Sequence, residues 1–218
     1  MKKIMLFLAG TIFMLGLSTM AQAFTMTLSS GSETVVVNDN GVNDFNSAIN
    51  GIMYSGSING ISVSAIGTSI FDQNSGSFDI SSFVFRGTGS ITIKLTDSGL
   101  VLDTYAISPN LSVGEYLSST SSSNVQLTSD VLVNGVSVPG VSTTVTGMGS
   151  STTSGLATVG NTFSLDEIIT ATLTGNSSVS IDGLVNVAPV PEPGTMLLLG
   201  IGLISLAVVS KRKMNKQS

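Results

Sequence analysis

Between residues 24 and 187 the chain alternates apolar and polar side chains in short runs broken by Gly, Asn and Ser. Ile91-Thr92-Ile93-Lys94-Leu95-Thr96 shows the period most plainly. Ile91, Ile93 and Leu95 fall on one face of a strand, and Thr92, Lys94 and Thr96 on the other. Asp97-Ser98-Gly99 then predicts a turn into Leu100–Leu102. Two Asn-Gly pairs predict hairpins, because a type I′ turn needs positive φ at both central residues. They are Asn59-Gly60, between Ile52–Ile58 and Ile61–Ile66, and Asn134-Gly135, between Val131–Val133 and Val136–Val138. Gly175-Asn176, between Ile168–Thr174 and Ser177–Ile181, predicts a third hairpin with a type II′ turn. No stretch carries an amphipathic helical period, and the wealth of Val, Ile and Thr favours strands. The expectation is all-β: an antiparallel β-sandwich, jelly-roll-like. A β-helix is the competing architecture, but it stacks equal coils and no fixed period is present. The Ser/Thr/Gly-rich segments Ser118–Ser123 and Ser142–Gly155 are expected as surface loops or linkers.

The two ends break this pattern. Lys2-Lys3, the uncharged apolar run Ile4–Leu17 and the small-x-small site Ala21-Gln22-Ala23 form a secretory signal peptide, cut after Ala23. At the other end Pro189, Pro191 and Pro193 forbid a regular helix. An uncharged stretch over about residues 194–210 follows, about 25 Å long as a helix, at the lower limit for a hydrocarbon core of about 30 Å and able to span it with local thinning or snorkelling. Lys211, Arg212 and Lys213 then hold the tail in the cytoplasm by the positive-inside rule. The predicted organisation is a signal peptide (1–23), a secreted β-sandwich (24–187) and a C-terminal signal (188–218) with one transmembrane helix.

Pro191-Glu192-Pro193, the apolar helix and the basic tail together resemble the PEP-CTERM sorting signal of Gram-negative bacteria, an element also described as an ice-binding protein C-terminal domain. The resemblance implies recognition of Pro191, Glu192 and Pro193 by an exosortase, a membrane-embedded transpeptidase-like protease, after export and removal of the leader by signal peptidase. It also implies a membrane-anchored intermediate followed by a place at the cell surface or outside the cell, in bacteria that make exopolysaccharide and biofilm. Thr34–Gly41, Ile52–Ser57 and Phe163–Leu165 resemble β-rich domains found upstream of such signals, and no activity comes with that likeness.

Composition narrows the chemistry. The chain has no Cys, His or Trp. That excludes disulfides, thiolate or imidazole zinc sites, and Cys-His or Ser-His-Asp nucleophiles. Six of the eight Lys and Arg lie in the two terminal signals, leaving Arg86 and Lys94 in the exported domain. The domain is therefore far more acidic than the whole-chain charge of −5. Phosphate contacts need Lys and Arg, so nucleic acid is excluded as a partner.

Candidate ligands are few. Asn38, Asp39, Asn40, Asn43 and Asp44 could offer oxygens to calcium, although they lack the EF-hand spacing, and Asn40-Gly41 is also a good turn. Asp166-Glu167 are adjacent and so expected on opposite faces of a solvated strand end, unlike the facing carboxylates of a glycosidase. Arg86 reads as a surface ion-pair partner, and Tyr54, Tyr105 and Tyr116 as edge packing rather than a sugar platform. Thr residues without regular spacing argue against ice binding. The expected function is non-enzymatic and cofactor-free: a structural or adhesive surface or matrix protein in exopolysaccharide. A carbohydrate- or calcium-binding, lectin-like module is the alternative, and a carboxylate hydrolase is the weakest reading.

Overall fold

A computed structural model describes residues 24–71, 75–101, 110–120, 125–160, 162–190 and 198–206. Eleven strands follow in chain order: β1 (Thr25–Ser30), β2 (Glu33–Asn38), β3 (Gly51–Ile58), β4 (Ile61–Phe71), β5 (Gly76–Leu100), β6 (Asn110–Ser119), β7 (Val125–Val133), β8 (Val136–Ser137), β9 (Thr143–Thr146), β10 (Gly149–Thr158) and β11 (Phe163–Pro189). They form one sheet in which every pairing is antiparallel.

Two strands, β5 and β11, are 25 and 27 residues long and pair along nearly their whole length. Their neighbours change halfway. The later half of β5 pairs with β1, and the earlier half of β11 with β7. The earlier half of β5 pairs with β4, and the later half of β11 with β6. The sheet thus folds like a book. One leaf reads β2-β1-β5-β11-β7, with β8 and β9 on β7; the other reads β3-β4-β5-β11-β6-β10. The spine crosses β5 at Gly87 and Gly89, with φ of 149° and 123°, and β11 at the register break between Leu173 and Ser177. A side chain at Gly87 would be strained twice over, by a φ that L-residues rarely adopt and by the Ile61 Cα, which would lie 3.2 Å from its Cβ.

The leaves close on each other. A Cβ at Gly67 would stand 3.1 Å from Leu95 Cδ2, and Ser69 Oγ donates across the core to Asp97 Oδ2. Met26, Leu28, Ile80, Phe85, Ile93 and Ile181 are fully buried between them. Away from the spine, Phe24, Phe71, Phe78 and Phe163 close the open end, with centroids 5.7–6.4 Å apart.

The alternation of Ile91, Ile93 and Leu95 into the core stands as expected. Both Asn-Gly hairpins form, with Asn59, Gly60, Asn134 and Gly135 all at positive φ. Three expectations are corrected. Gly175 is no hairpin tip: the flanking segments pair with β5 rather than with each other, and the chain bends there from leaf to leaf. Asp97-Ser98-Gly99 is no turn, because β5 runs through it to Leu100 against β11. Ser142–Gly155 is not a loop but supplies β9 and most of β10, its small hydroxyl residues sitting on alternate faces of edge strands.

Candidate functional site

Strand alternation sends Leu165, Glu167 and Ile169 inward on β11 and Asp166 outward. The two carboxylates do point to opposite faces, but the expected solvated strand end is wrong. β11 is central here, flanked by β5 and β7, and both residues are buried. Asp166 Oδ1 accepts from Thr96 Oγ1 at 2.6 Å and lies 3.1 Å from Lys94 Nζ. Glu167 is fully enclosed, and neither of its oxygens finds a hydrogen-bond partner among the described residues. Its Oε1 sits 3.0 Å from where a Cβ on Gly183 would stand, so the acid occupies space that only glycine leaves open.

Burial holds the Glu167 carboxyl well above the usual carboxylate range, and the charges of Glu115 and Asp79 push it further the same way. Glu115 also faces inward, from β6, and burial raises it too, with Asp130 adding and the Thr153 hydroxyl opposing. Asp79 is raised by burial and then by Asp182. Sequence reasoning missed this acidic centre. Its signal was present: Val113, Glu115 and Leu117 share one face, as do Leu165, Glu167 and Ile169. An inward carboxyl without a partner favours its neutral form over nucleophilic or metal-binding work.

The Asx-rich candidates lie in the loop over residues 39–50, joining β2 to β3, with Asn38 closing β2. Asp44 Oδ1 accepts the N–H groups of Asn46 and Met53 at 2.9 Å, and its Oδ2 that of Asn40 at 2.9 Å. Asp39 Oδ2 accepts the Asn50 N–H at 2.9 Å. Asn40, Asn43 and Asn50 take positive φ, which Asn tolerates better than other side chains. The carboxylates thus hold backbone donors and fix the loop's shape. Among the described residues no group of three or more acids is placed to hold a metal.

A shallow groove of about 360 Å³ lies on the outer face of the β3–β10 leaf, lined by Ser77, Ser112, Gly114, Asn186 and Ile70. Tyr116 stands two residues along β6 on the same face and is 37% exposed. Tyr54 faces the core instead. Arg86 is exposed on the outer face near the spine. Tyr105 lies outside the described residues.

β11 ends at Pro189, on the open end of the book. Helix 198–206 carries Leu198, Leu199, Ile201, Leu203, Ile204 and Leu206 around its circumference, each at least 54% exposed. No helix among the described residues is long and apolar enough to cross a membrane. Ala21, Ala23, Pro191, Glu192, Pro193, Lys211, Arg212 and Lys213 lie outside the described residues.

No curated protein sequence matches the chain. Solved structures with some likeness include a protein of infectious bursal disease virus, Gx strain, at 14% identity and TM-score 0.34, covering 76% of this chain and 55% of the viral one. The family 11 carbohydrate-binding module of a Clostridium thermocellum cellulosomal cellulase is 14% identical, with TM-score 0.30 over 69% of this chain and 94% of the module. The carbohydrate-binding module CBM36, in complex with calcium and xylotriose, is 14% identical, with TM-score 0.25 over 45% and 87%. This chain spans only about half of the viral protein, and no residue role passes to it from any of the three. The C-terminal segment gives the assignment: residues 189–213 match the PEP-CTERM protein-sorting motif, and the chain carries that sorting domain at its C-terminal end.

Proposed function

We propose that this protein is exported by its signal peptide, held in the inner membrane by its C-terminal helix, and processed by an exosortase that recognises Pro191-Glu192-Pro193. Its β-domain then serves, without catalysis, as a structural or adhesive component of exopolysaccharide at the cell surface. The observation that carries this reading is the sorting motif at residues 189–213, which begins where the last strand of the domain ends. The back-to-back placement of Asp166 and Glu167 supports a non-enzymatic role, since neither can face the other across a substrate. Calcium is not required by this reading, because Asp39 and Asp44 are already engaged with backbone N–H groups.

The test is Glu192→Ala in the native host. The expected result is a full-length chain, still carrying Lys211–Ser218, that accumulates in the membrane fraction while the processed form disappears. Unchanged processing would remove the exosortase from the account.

The groove beside Tyr116 favours a second reading, in which the domain binds polysaccharide directly. Hydroxyl and amide groups at Ser77, Ser112 and Asn186 line it, and an aromatic face stands at its side. Tyr116→Ala would then abolish retardation of the protein in gels cast with the host's own exopolysaccharide. Equal mobility of variant and parent, with or without polysaccharide, would dismiss this reading and leave the structural role.

A further inference from the structure

The exposed apolar side chains of the domain are not scattered. Val42, Phe45 and Ile49 project from the loop over residues 39–50, at 84%, 64% and 82% exposure. The register places this loop at the open end of the book. It leaves β2 after Asn38, level with Thr25 and Thr96, and enters β3 at Gly51, level with Thr68 and Asp79. Ile70, Val136 and Leu156 are exposed at the same end, paired to Ser77, Val133 and Ser112. Outside the C-terminal helix, the other large apolar side chains exposed among the described residues are Val36, Val101, Tyr116 and Met148.

The chain leaves the domain from this same end. Pro189 pairs with Leu111, at the far end of β11 from the spine. The four residues 190–193 before the apolar segment reach at most about 14 Å. The later half of β11, residues 177–189, is about 40 Å long. A tether that short keeps the open end within reach of the bilayer, whereas the spine is free to stand about 40 Å further out. The apolar loop is also firmly shaped, by Asp39 and Asp44 on its backbone N–H groups and by the Phe45 N–H on the Met53 carbonyl at 2.8 Å.

We infer that the open end of the sandwich is a membrane-docking surface: while the chain is anchored, Val42, Phe45 and Ile49 insert into the interface of the outer leaflet. The occupant is a lipid surface because the chain's own anchor brings one within reach. Attraction is apolar rather than electrostatic, since Lys94 is paired with Asp166 in mid-strand and Arg86 lies near the spine. Docking therefore persists at high salt, and release from the anchor exposes the patch to the matrix. This inference rests on the anchored reading above.

The chain has no native cysteine, so single-cysteine variants report cleanly. Phe45→Cys, Ile49→Cys and, on the spine side, Ser57→Cys in the full-length chain would carry an environment-sensitive dye. The chains would be reconstituted into vesicles of phosphatidylcholine and phosphatidylethanolamine and tested by flotation. Expected are co-flotation of all three, blue-shifted emission at 45 and 49, and several-fold weaker quenching by aqueous iodide there than at 57. Co-flotation with equal iodide access at 45, 49 and 57 would overturn docking and leave anchoring intact. Failure to co-float would overturn the anchored reading and docking with it. Shielding of 45 and 49 in native membranes but not in lipid vesicles would make the partner a protein and overturn the lipid assignment.

Discussion

Glu167→Gln stabilises the domain above neutral pH and leaves it almost unchanged near pH 4. In the folded protein the Glu167 carboxyl is enclosed and finds no hydrogen-bond partner among the described residues, and burial holds its pKa well above the usual value of 4.5. In the unfolded chain it titrates normally. Below pH 4.5 the group is neutral in both states, and its contribution to folding is intact. As pH rises, the unfolded chain releases the proton while the folded chain retains it. Stability then falls by about 1.4 kcal/mol per pH unit until the folded group also ionises. Glutamine keeps the shape and cannot ionise, so that slope disappears. Glu115 is shifted in the same direction, so a shallower alkaline loss persists in the variant. Thermal melts of parent and variant from pH 4 to pH 9 read this directly. The melting temperatures should coincide at pH 4 and diverge upward for the variant. Parallel curves would mean that Glu167 is solvated or paired in the native domain.

Gly87→Val breaks the fold at its spine, at a cost of about 3 kcal/mol, the scale of forcing a branched residue into a sparsely populated backbone region against a neighbouring chain. Gly87 has φ of 149°, and its missing Cβ would stand 3.2 Å from Ile61 Cα, a backbone atom that cannot rotate aside. Both leaves share β5, so strain there is felt by the whole core. Gly114→Ala is the matched control: that glycine has nothing within 4 Å of its missing Cβ, and the change should cost no more than about 0.5 kcal/mol. Urea unfolding should show a large fall in midpoint for the first variant and almost none for the second. Equal midpoints would mean that the leaf-to-leaf bend does not pass through Gly87.

Local chemistry was legible in the sequence wherever one residue decides the geometry. Asn59-Gly60 and Asn134-Gly135 became hairpins because two successive positive φ values leave few other options. Ile91, Ile93 and Leu95 became core because a two-residue period has one solution. What failed was the reading of glycine as an end. Gly99 and Gly175 take positive φ, yet each lies within a strand that carries on. Whether such a residue turns the chain back or bends it into a second leaf depends on the partner strand, which lies far away in sequence. Low complexity misled for a related reason: β10 is an edge strand that needs little apolar surface, so Ser and Thr suffice. The acidic centre was missed because charge was read as exposure, although the faces shared by Glu115 and Glu167 were apolar. The sorting segment was the most legible part, since an apolar run followed by a basic cluster needs no tertiary context.

The central claim is that the chain is anchored and then cut, and intact mass spectrometry of the protein from its native host tests it most directly. Membrane-bound and released fractions would be measured separately. The account predicts a membrane form that begins at Phe24 and retains Lys211–Ser218, and a released or surface form that ends near Pro191–Gly194, with or without an added group. A single form that retains Lys211–Ser218 in every fraction would contradict it and leave a protein with one uncut anchor.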